Sequence, residues 1–317
     1  MAKRCEYIKW GIINKKIIVI IIGAIAKFFT SIIAKELGSH LQNHPIIFGI
    51  NAGLGMCLSI FPFIYIKIIT KKIKKEESKR KTTLIYKDIS KIYDSNIRIQ
   101  KYALILLSSI FDFGQKFLSF SNNSNIENNC WIFDLFFLCI FSVFILKTKL
   151  YNFQYLSLSI IIFLGIILNI INLYDEEEKI IILIILSIEI MYSLKNVINK
   201  YSIEYHFCLP YEIGFYEGFF SLILNLILLK FTNLDNFYEY YDKLDTREII
   251  SFILIMICRW LFNLFGLLTV KEFTPSHVVL ILISGEIVFA FYIDAIWKLI
   301  ITIVIFIILL FMILVFT

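Results

Sequence analysis

Ten long apolar runs constrain this chain more than any other feature. A bilayer's hydrocarbon core is crossed by about 20 helical residues rising 1.5 Å each. Runs of that length fall at 17–37, 46–69, 102–121, 130–146, 152–172, 180–200, 210–230, 248–268, 276–294 and 297–316. They are continuous stretches of Ile, Leu and Phe. A β-barrel would show short segments of alternating hydrophobicity instead, and is excluded. The 317 residues are 59% hydrophobic and only 18% charged, against roughly 25% charged in a soluble domain. No soluble core of this size hides so much apolar surface, so the excess faces lipid. Soluble enzymes, nucleic-acid-binding modules and disulfide-rich secreted domains are excluded with it. No small-residue cleavage site follows the first run, which reads as a retained anchor. Only 71–100 and 231–247 are long connections, and neither is long enough for a globular domain.

Basic residues beside the spans predict the orientation. Lys3, Arg4, Lys9, Lys15 and Lys16 precede the first span, and Lys147 and Lys149 follow the fourth. The connection 71–100 carries Lys71, Lys72, Lys74, Lys75, Lys79, Arg80, Lys81, Lys87, Lys91 and Arg98. The connections 38–45 and 122–129 have no Lys or Arg, and 173–179 is acidic through Asp175, Glu176, Glu177 and Glu178. Both termini are therefore expected in the cytoplasm, with endomembranes slightly favoured over the plasma membrane. The sequon Asn122-Asn123-Ser124 lies on the side this assigns to the exterior. The net charge of +6 comes mostly from 71–100. There Leu84-Ile85, Ile89 and Ile92-Tyr93 recur at helical spacing, which suits a segment lying flat on anionic lipid. Cys5, Cys57, Cys130, Cys139, Cys208 and Cys258 show neither a disulfide framework nor metal spacing. His40 and His44 lack further ligands nearby. His277, just after Pro275, reads as a capping or interfacial residue. No metal and no cofactor is expected.

The chain repeats itself at an offset of 165 residues. Lys35, Pro45, Gly49 and Gly53 match Lys200, Pro210, Gly214 and Gly218. Phe111-Asp112 finds a weaker echo in Phe262-Asn263. Each half then carries five spans, an odd number, so the second must insert upside down relative to the first. The expected fold is an all-α membrane protein of ten transmembrane helices, built as two inverted five-helix repeats. The halves are 1–172, with the basic cytoplasmic connection 71–100, and 173–317. Such repeats build secondary transporters whose substrate site lies near the midplane. Gly49 and Gly53, like Gly214 and Gly218, allow close helix approach, and Pro45 and Pro210 suit a first helical turn.

Ionisable groups in hydrocarbon cost roughly 2.5–3.5 kcal/mol on insertion scales, so they should face a protein interior or a wet cavity. Lys27 stands in the first span. Ser108, Asp112, Gln115 and Ser119 form one face of the third, with Lys116 beside it, and Asp134 stands in the fourth. Glu189, Ser193, Asn196 and Lys200 repeat that spacing in the sixth, with Tyr192 and Lys195 adjacent. Ser221 and Asn225 lie in the seventh, with Glu217 at the edge of its polar face. Arg259, Asn263 and Gly266 share a face of the eighth, and the ninth carries Ser284 and Glu286. The fifth and tenth spans are nearly all apolar and should face lipid. Arg259 cannot shed its charge and needs a carboxylate or an anionic ligand; Glu217 and Glu286 are the favoured partners. Such a pair would lock the seventh, eighth and ninth spans permanently; the alternative is an Arg259 that contacts the ligand. Lys27 and Lys195 stand a turn apart in the repeat alignment and either meet an anion or snorkel. Asp112, Asp134 and Glu189 either carry protons or pair with Lys116 or Lys195.

Ten spans in a five-plus-five layout resemble the drug/metabolite transporter superfamily, which includes nucleotide-sugar and triose-phosphate carriers. The likeness runs toward the solute carrier 35 group, its F subgroup and the chloroquine-resistance-transporter-like proteins. Four stretches carry it: Ser109-Ile110-Phe111-Asp112; Phe144-Ile145-Leu146-Lys147-Thr148-Lys149-Leu150 with Gln154-Tyr155-Leu156; Tyr216-Glu217-Gly218; and Asn263-Leu264-Phe265-Gly266 with Thr269-Val270-Lys271. The resemblance implies that spans one to four and six to nine enclose the site while five and ten pack outside. The chain departs from the pattern in three places. The ninth span lacks Lys-x-Arg, Gly-Ala-Leu-Asn-Lys is absent, and Asn128-Asn129-Cys130-Trp131 replaces the usual Gln before the fourth span.

The expected function is secondary-active transport of a small polar or anionic metabolite, nucleotide-sugar-like or another organic solute. It would work by alternating access, with exchange or proton coupling open, and without enzymatic activity. The site residues are Lys27, Asp112, Gln115, Lys116, Asp134, Glu189, Tyr192, Lys195, Glu217, Arg259, Asn263 and Glu286. The partners are the substrate and the lipid bilayer. A homodimer is compatible with the layout, and no nucleic acid is expected. The alternative is a non-transporting scaffold or regulator that retains the transporter fold.

Overall fold

Proline positions and glycine contacts set where these helices begin, bend and cross. The computed structural model describes residues 17–33, 45–80, 89–121, 131–149, 155–156, 159–160, 163, 179–231, 246–279 and 281–282. Among them the regular elements are all helical. They are α1 (Ile17–Ile33), α2 (Pro45–Cys57), α3 (Ile60–Arg80), α4 (Ile89–Ser121), α5 (Trp131–Ile145), α6 (Lys179–Tyr205), α7 (Pro210–Phe231) and α8 (Thr246–Glu272). A 3-10 turn, Pro275–His277, follows α8. Among the described residues three stretches are long and apolar enough to cross a membrane: Ile46–Lys71, Pro210–Lys230 and Ile249–Glu272. Ile17–Ile33 and Phe133–Ile145 are shorter apolar helices. The tenth span, Glu286 and most of the fifth and ninth spans lie outside the described residues.

Pro45 opens α2 and Pro210 opens α7, as expected of a residue whose missing N–H is no loss in a first turn. The run 46–69 is not one unbroken helix. α2 stops at Cys57, Leu58 and Ser59 form a turn, and α3 resumes at Ile60. Pro62 is the cause. It offers no N–H to the Leu58 carbonyl and its ring crowds that oxygen. The Leu58 carbonyl instead accepts from Phe61, one residue nearer (3.2 Å). At the other end of the basic connection, α4 starts at Ile89 and runs unbroken for 33 residues, about 50 Å. Ile89 and Ile92-Tyr93 thus continue the third span and do not form a separate in-plane segment. Leu84-Ile85 lie outside the described residues.

The outer surface is greasy, and the interior holds many polar groups among its apolar ones. Ile17, Ile21, Ile25 and Phe29, four residues apart, make an exposed stripe on α1. Phe219, Ile223, Leu226 and Ile227 do so on α7, and Ile249, Ile253, Leu254 and Ile257 on α8. Tyr155, Leu156, Ile160 and Phe163, the described part of the fifth span, are exposed as well. Inside lie Ser108, Asp112, Ser193, Lys195, Asn199, Glu217 and Ser221. A water-soluble protein shows the reverse distribution. Lipid as the outer solvent accounts for it.

The most extensive packing joins α4 to α6 and α2 to α7. α2 and α7 cross antiparallel on their glycines. A Cβ on Gly53 would sit 3.2 Å from the Gly218 carbonyl oxygen. One on Gly218 would meet Met56 Cβ at 2.6 Å and the Cys57 nitrogen at 2.7 Å. Gly49 abuts Asn225 and Gly214 abuts Ser59, so contacts above and below the crossing pair in opposite directions. α8 lies parallel to α2. Asn51 Nδ2 donates to the Phe252 carbonyl (2.9 Å), Gly55 faces the Met256 carbonyl, and Trp260 Nε1 donates to Ser59 Oγ (3.2 Å).

α5 and α6 end with the same device. The Leu146 and Thr148 N–H groups both return to the Ser142 carbonyl, and those of His206 and Cys208 return to Ser202. Lys147 (φ 55) and Phe207 (φ 51) take the left-handed residue of this Schellman pattern, where glycine is usual. Lys200 Nζ ties the far end of α8 to α6, bonding the Phe273 (2.6 Å) and Lys271 (3.3 Å) carbonyls. His277 Nδ1 lies 3.3 Å from the Thr274 N–H, which donates to it, so His277 caps the turn as its position after Pro275 suggested.

Gly218→Leu should lower the melting temperature in detergent sharply, because backbone and Cβ atoms cannot yield at the crossing. Overpacking of this kind costs roughly 1–3 kcal/mol or more. Gly266→Ala is the control. A Cβ there meets nothing within 4 Å, and replacing a mid-helix glycine should leave stability unchanged or raise it by about 1 kcal/mol.

Candidate functional site

Asp112 stands where α4 faces α6, four residues above Ser108 on the same face. Its carboxylate is fully buried and holds two ammonium groups. Lys116 Nζ lies 2.5 Å from Oδ2, and Lys195 Nζ lies 2.5 Å from Oδ1. Lys116 also points its ammonium at Met56 Sδ on α2 (3.1 Å). One turn away, Glu217 from α7 is also fully buried. Its Oε1 accepts from Ser108 and from Asn199 Nδ2 (2.8 Å). Its Oε2 lies 4.0 Å from Lys195 Nζ and accepts no hydrogen bond among the described residues. Four helices thus meet in one ionic cluster. The sequence placed Glu217 at the edge of the seventh span's polar face, and from that edge it reaches Lys195. α7 turns that side toward α4 because Gly214 and Gly218 fix its contact with α2.

A third buried acid lies across α6. Asp134 of α5 takes the Ser193 hydroxyl on Oδ1 (2.5 Å), and its Oδ2 has no hydrogen-bond partner among the described residues. In the first turn of α7, Glu212 is buried and pairs with the largely buried Lys101 of α4 at 2.6 Å. Tyr192 lies 5.9 Å below the Lys195 ammonium. Gln115 and Glu189 are half-buried on the same helices.

On the other side stand α1 and α8. Lys27 Nζ lies 5.7 Å from the Phe262 ring centre, and the Arg259 guanidinium stacks on Phe48 at 3.5 Å. Asn263 Nδ2 donates back to the Arg259 carbonyl (3.0 Å). Glu217, one of the two acids favoured as a partner for Arg259, makes its hydrogen bonds with Ser108 and Asn199. Glu286, the other, lies outside the described residues.

Between the two sides is a small cavity of about 20 Å³, enough for one water-sized guest. Tyr192, Lys195 and Asn196 of α6, Glu217 of α7, and Phe262, Asn263 and Gly266 of α8 border it. Of the expected site residues, Tyr192, Lys195, Glu217 and Asn263 meet at this cavity, and Asp112 and Lys116 sit directly behind it. Asp134 and Lys27 stand one helix away. Asn199, Met56, Phe48 and Phe262 were not anticipated. Asn199 extends the Tyr192–Lys195–Asn196 face by one turn, so its spacing carried the signal. The other three are apolar side chains indistinguishable from packing residues in sequence. Among the described residues no three His, Cys, Asp or Glu side chains converge as a metal centre requires.

No protein-family model matches this chain, and no curated protein matches it either. Function is therefore read from the site itself.

Asp112→Ala should leave two buried ammonium groups without their shared carboxylate and destabilise the protein by roughly 3–5 kcal/mol. Adding Lys116→Met and Lys195→Met should recover much of the loss. Thermal unfolding of the single and triple variants checks this. A triple variant no more stable than Asp112→Ala alone would show that the clamp is not what holds α4 to α6.

Proposed function

We propose that this protein is a secondary-active transporter of a small polar or anionic metabolite, working by alternating access through ten membrane helices arranged as two inverted repeats. One observation carries the reading. Asp112, Lys116, Lys195 and Glu217 are buried together inside an apolar-surfaced helical protein, beside a cavity that three helices share. Charges in such a place are expensive, and they are kept where a solute pathway needs them.

The helix contacts support the repeat. The antiparallel α2–α7 crossing falls on Gly53 and Gly218, which the 165-residue offset equates. α4 meets α6 through Asp112–Lys195, and the equivalent pair α8 and α1 meets through Phe262–Lys27 and Phe265–Gly23. α4 runs with α7 as α8 runs with α2. A two-fold axis in the membrane plane relates these pairs, and exchanging their conformations converts an inward-open state to an outward-open one. On this reading α4 and α6 also cross the bilayer. Asp112, Lys116 and Lys195 of these helices face one another and not the lipid. Both termini are then cytoplasmic.

Purified protein in liposomes should take up or exchange a labelled solute from a broad panel of polar and anionic metabolites. Arg259→Ala should abolish that uptake while inserting normally. Inert liposomes across the panel would favour the scaffold alternative, in which the ion cluster is a permanent brace.

A further inference from the structure

We infer that the cavity between α6, α7 and α8 binds a small zwitterion, with its ammonium on Glu217 Oε2 and its anionic group on Lys195; this rests on the transporter reading above. Glu217 is fully buried, and the two oxygens of its carboxylate are treated differently. Oε1 takes the Ser108 and Asn199 donors. Oε2 accepts none among the described residues, and the nearest cation, Lys195 Nζ at 4.0 Å, is beyond hydrogen-bond reach. A buried carboxylate oxygen without a donor is a strong demand for one. Lys195 has three N–H groups, and the Asp112 carboxylate takes one of them at 2.5 Å. Both Lys195 and Glu217 border the cavity.

Opposite charges 4.0 Å apart form a dipole. The ligand that completes it carries the opposite dipole at a similar spacing. Ordinary bond lengths place the ammonium nitrogen and the nearer anionic oxygen of an α-amino acid roughly 3 Å apart, so the four groups close an alternating square. A simple anion would set its charge against Glu217, and a simple cation against Lys195. Like-charge juxtaposition in a desolvated site rejects both. The other walls agree. The Asn196 and Asn263 amides already donate to the carbonyls of Tyr192 (3.1 Å) and Arg259 (3.0 Å), which leaves their oxygens as acceptors for an ammonium. Phe262 and Leu267 supply apolar surface for the rest of the ligand. With room for about one water, the cavity is contracted here. Gly266, whose added Cβ would meet nothing within 4 Å, marks the side of α8 on which it has space to widen.

The test uses the full chain in lipid nanodiscs and reads its melting temperature, which a ligand of the folded state raises. Glycine, β-alanine and leucine are compared with methylammonium chloride and sodium acetate at matched ionic strength. At least one zwitterion should raise the melting temperature where neither half-ligand does. Glu217→Gln should lose that shift. Gly266→Leu, which fills the cavity without touching an ion pair, should lose it too, so the result stands even if the first variant folds poorly. Glu212→Gln, outside the cavity, should keep it. Stabilisation by acetate alone, an equal shift in Gly266→Leu, or no response to any zwitterion would overturn the assignment. Liposome flux separates the two claims. Zwitterions that bind but are not moved would sink transport and leave the site. Flux of another solute class without a zwitterion response would sink the site and leave transport.

Discussion

The carboxylate of Asp112, held by two ammonium groups, is the interaction on which the interior depends. In lipid, helices gain no hydrophobic energy by meeting one another, because the acyl chains are as apolar as leucine. Association must come from close packing and polar contacts. Asp112 reaches Lys116 on its own helix and Lys195 on α6, and Lys195 faces Glu217 on α7. One anion therefore ties α4 to α6 and sets the ammonium that approaches α7. The Ser108 hydroxyl and the Asn199 amide then meet the remaining Glu217 oxygen from both of those helices. Removing water from these charges is costly, and only the density of the network offsets it. The same density explains why the cluster lies between helices and not on one of them.

Close packing does the corresponding job between α2 and α7. Gly53 and Gly218 remove the side chains at the crossing, so backbone meets backbone. α7 is thereby pinned on one side by glycine contacts and on the other by Glu217. Neither contact would suffice alone. The crossing fixes depth and angle, and the carboxylate fixes rotation. α3 escapes this constraint because the chain breaks at Leu58–Ser59, just past the crossing. That break sits against Trp260 of α8 and beside Gly214. The contacts that fix α2 therefore do not carry directly into α3.

Much of this was legible in sequence, and the rest was hidden for physical reasons. Helical class, the first turns at Pro45 and Pro210, and the polar face through Ser108 and Asp112 follow from spacing and proline chemistry. Lys116 and Lys195 were among the expected partners of buried acids, and Asp112 takes both. The pairing of Asp134 with Ser193 was not legible, because periodicity says which way a residue faces but not which helix it meets. Pro62 was the missed signal. A proline inside a 24-residue apolar run marks a break, yet uniform hydrophobicity around it masked the interruption. Glu217 lies off the Gly214–Gly218–Ser221 row by one residue, the edge position that its spacing indicated. That offset is what turns it toward α4 while the glycines face α2.

The two sides of the cavity differ in chemistry although the proposed repeat equates their helix pairs. On the α4–α6 side the contacts are ionic, short and multiple. On the other side they include a lysine of α1 over a phenylalanine ring of α8 at 5.7 Å and a guanidinium of α8 on a ring of α2 at 3.5 Å. Cation–π contacts are weaker than desolvated ion pairs and less demanding in angle. Lys195 cannot leave Asp112 without exposing two charges. The alternating-access cycle proposed above needs one firm body and one that shifts against it; in that proposal the ion cluster suits α4, α6 and α7 to the firm role and leaves the shifting one to the side that holds α1. The cavity lies on the boundary between the two. A ligand that engages Glu217 and Lys195 from the firm side would then draw Phe262 and Asn263 toward it, so that binding and movement become one event.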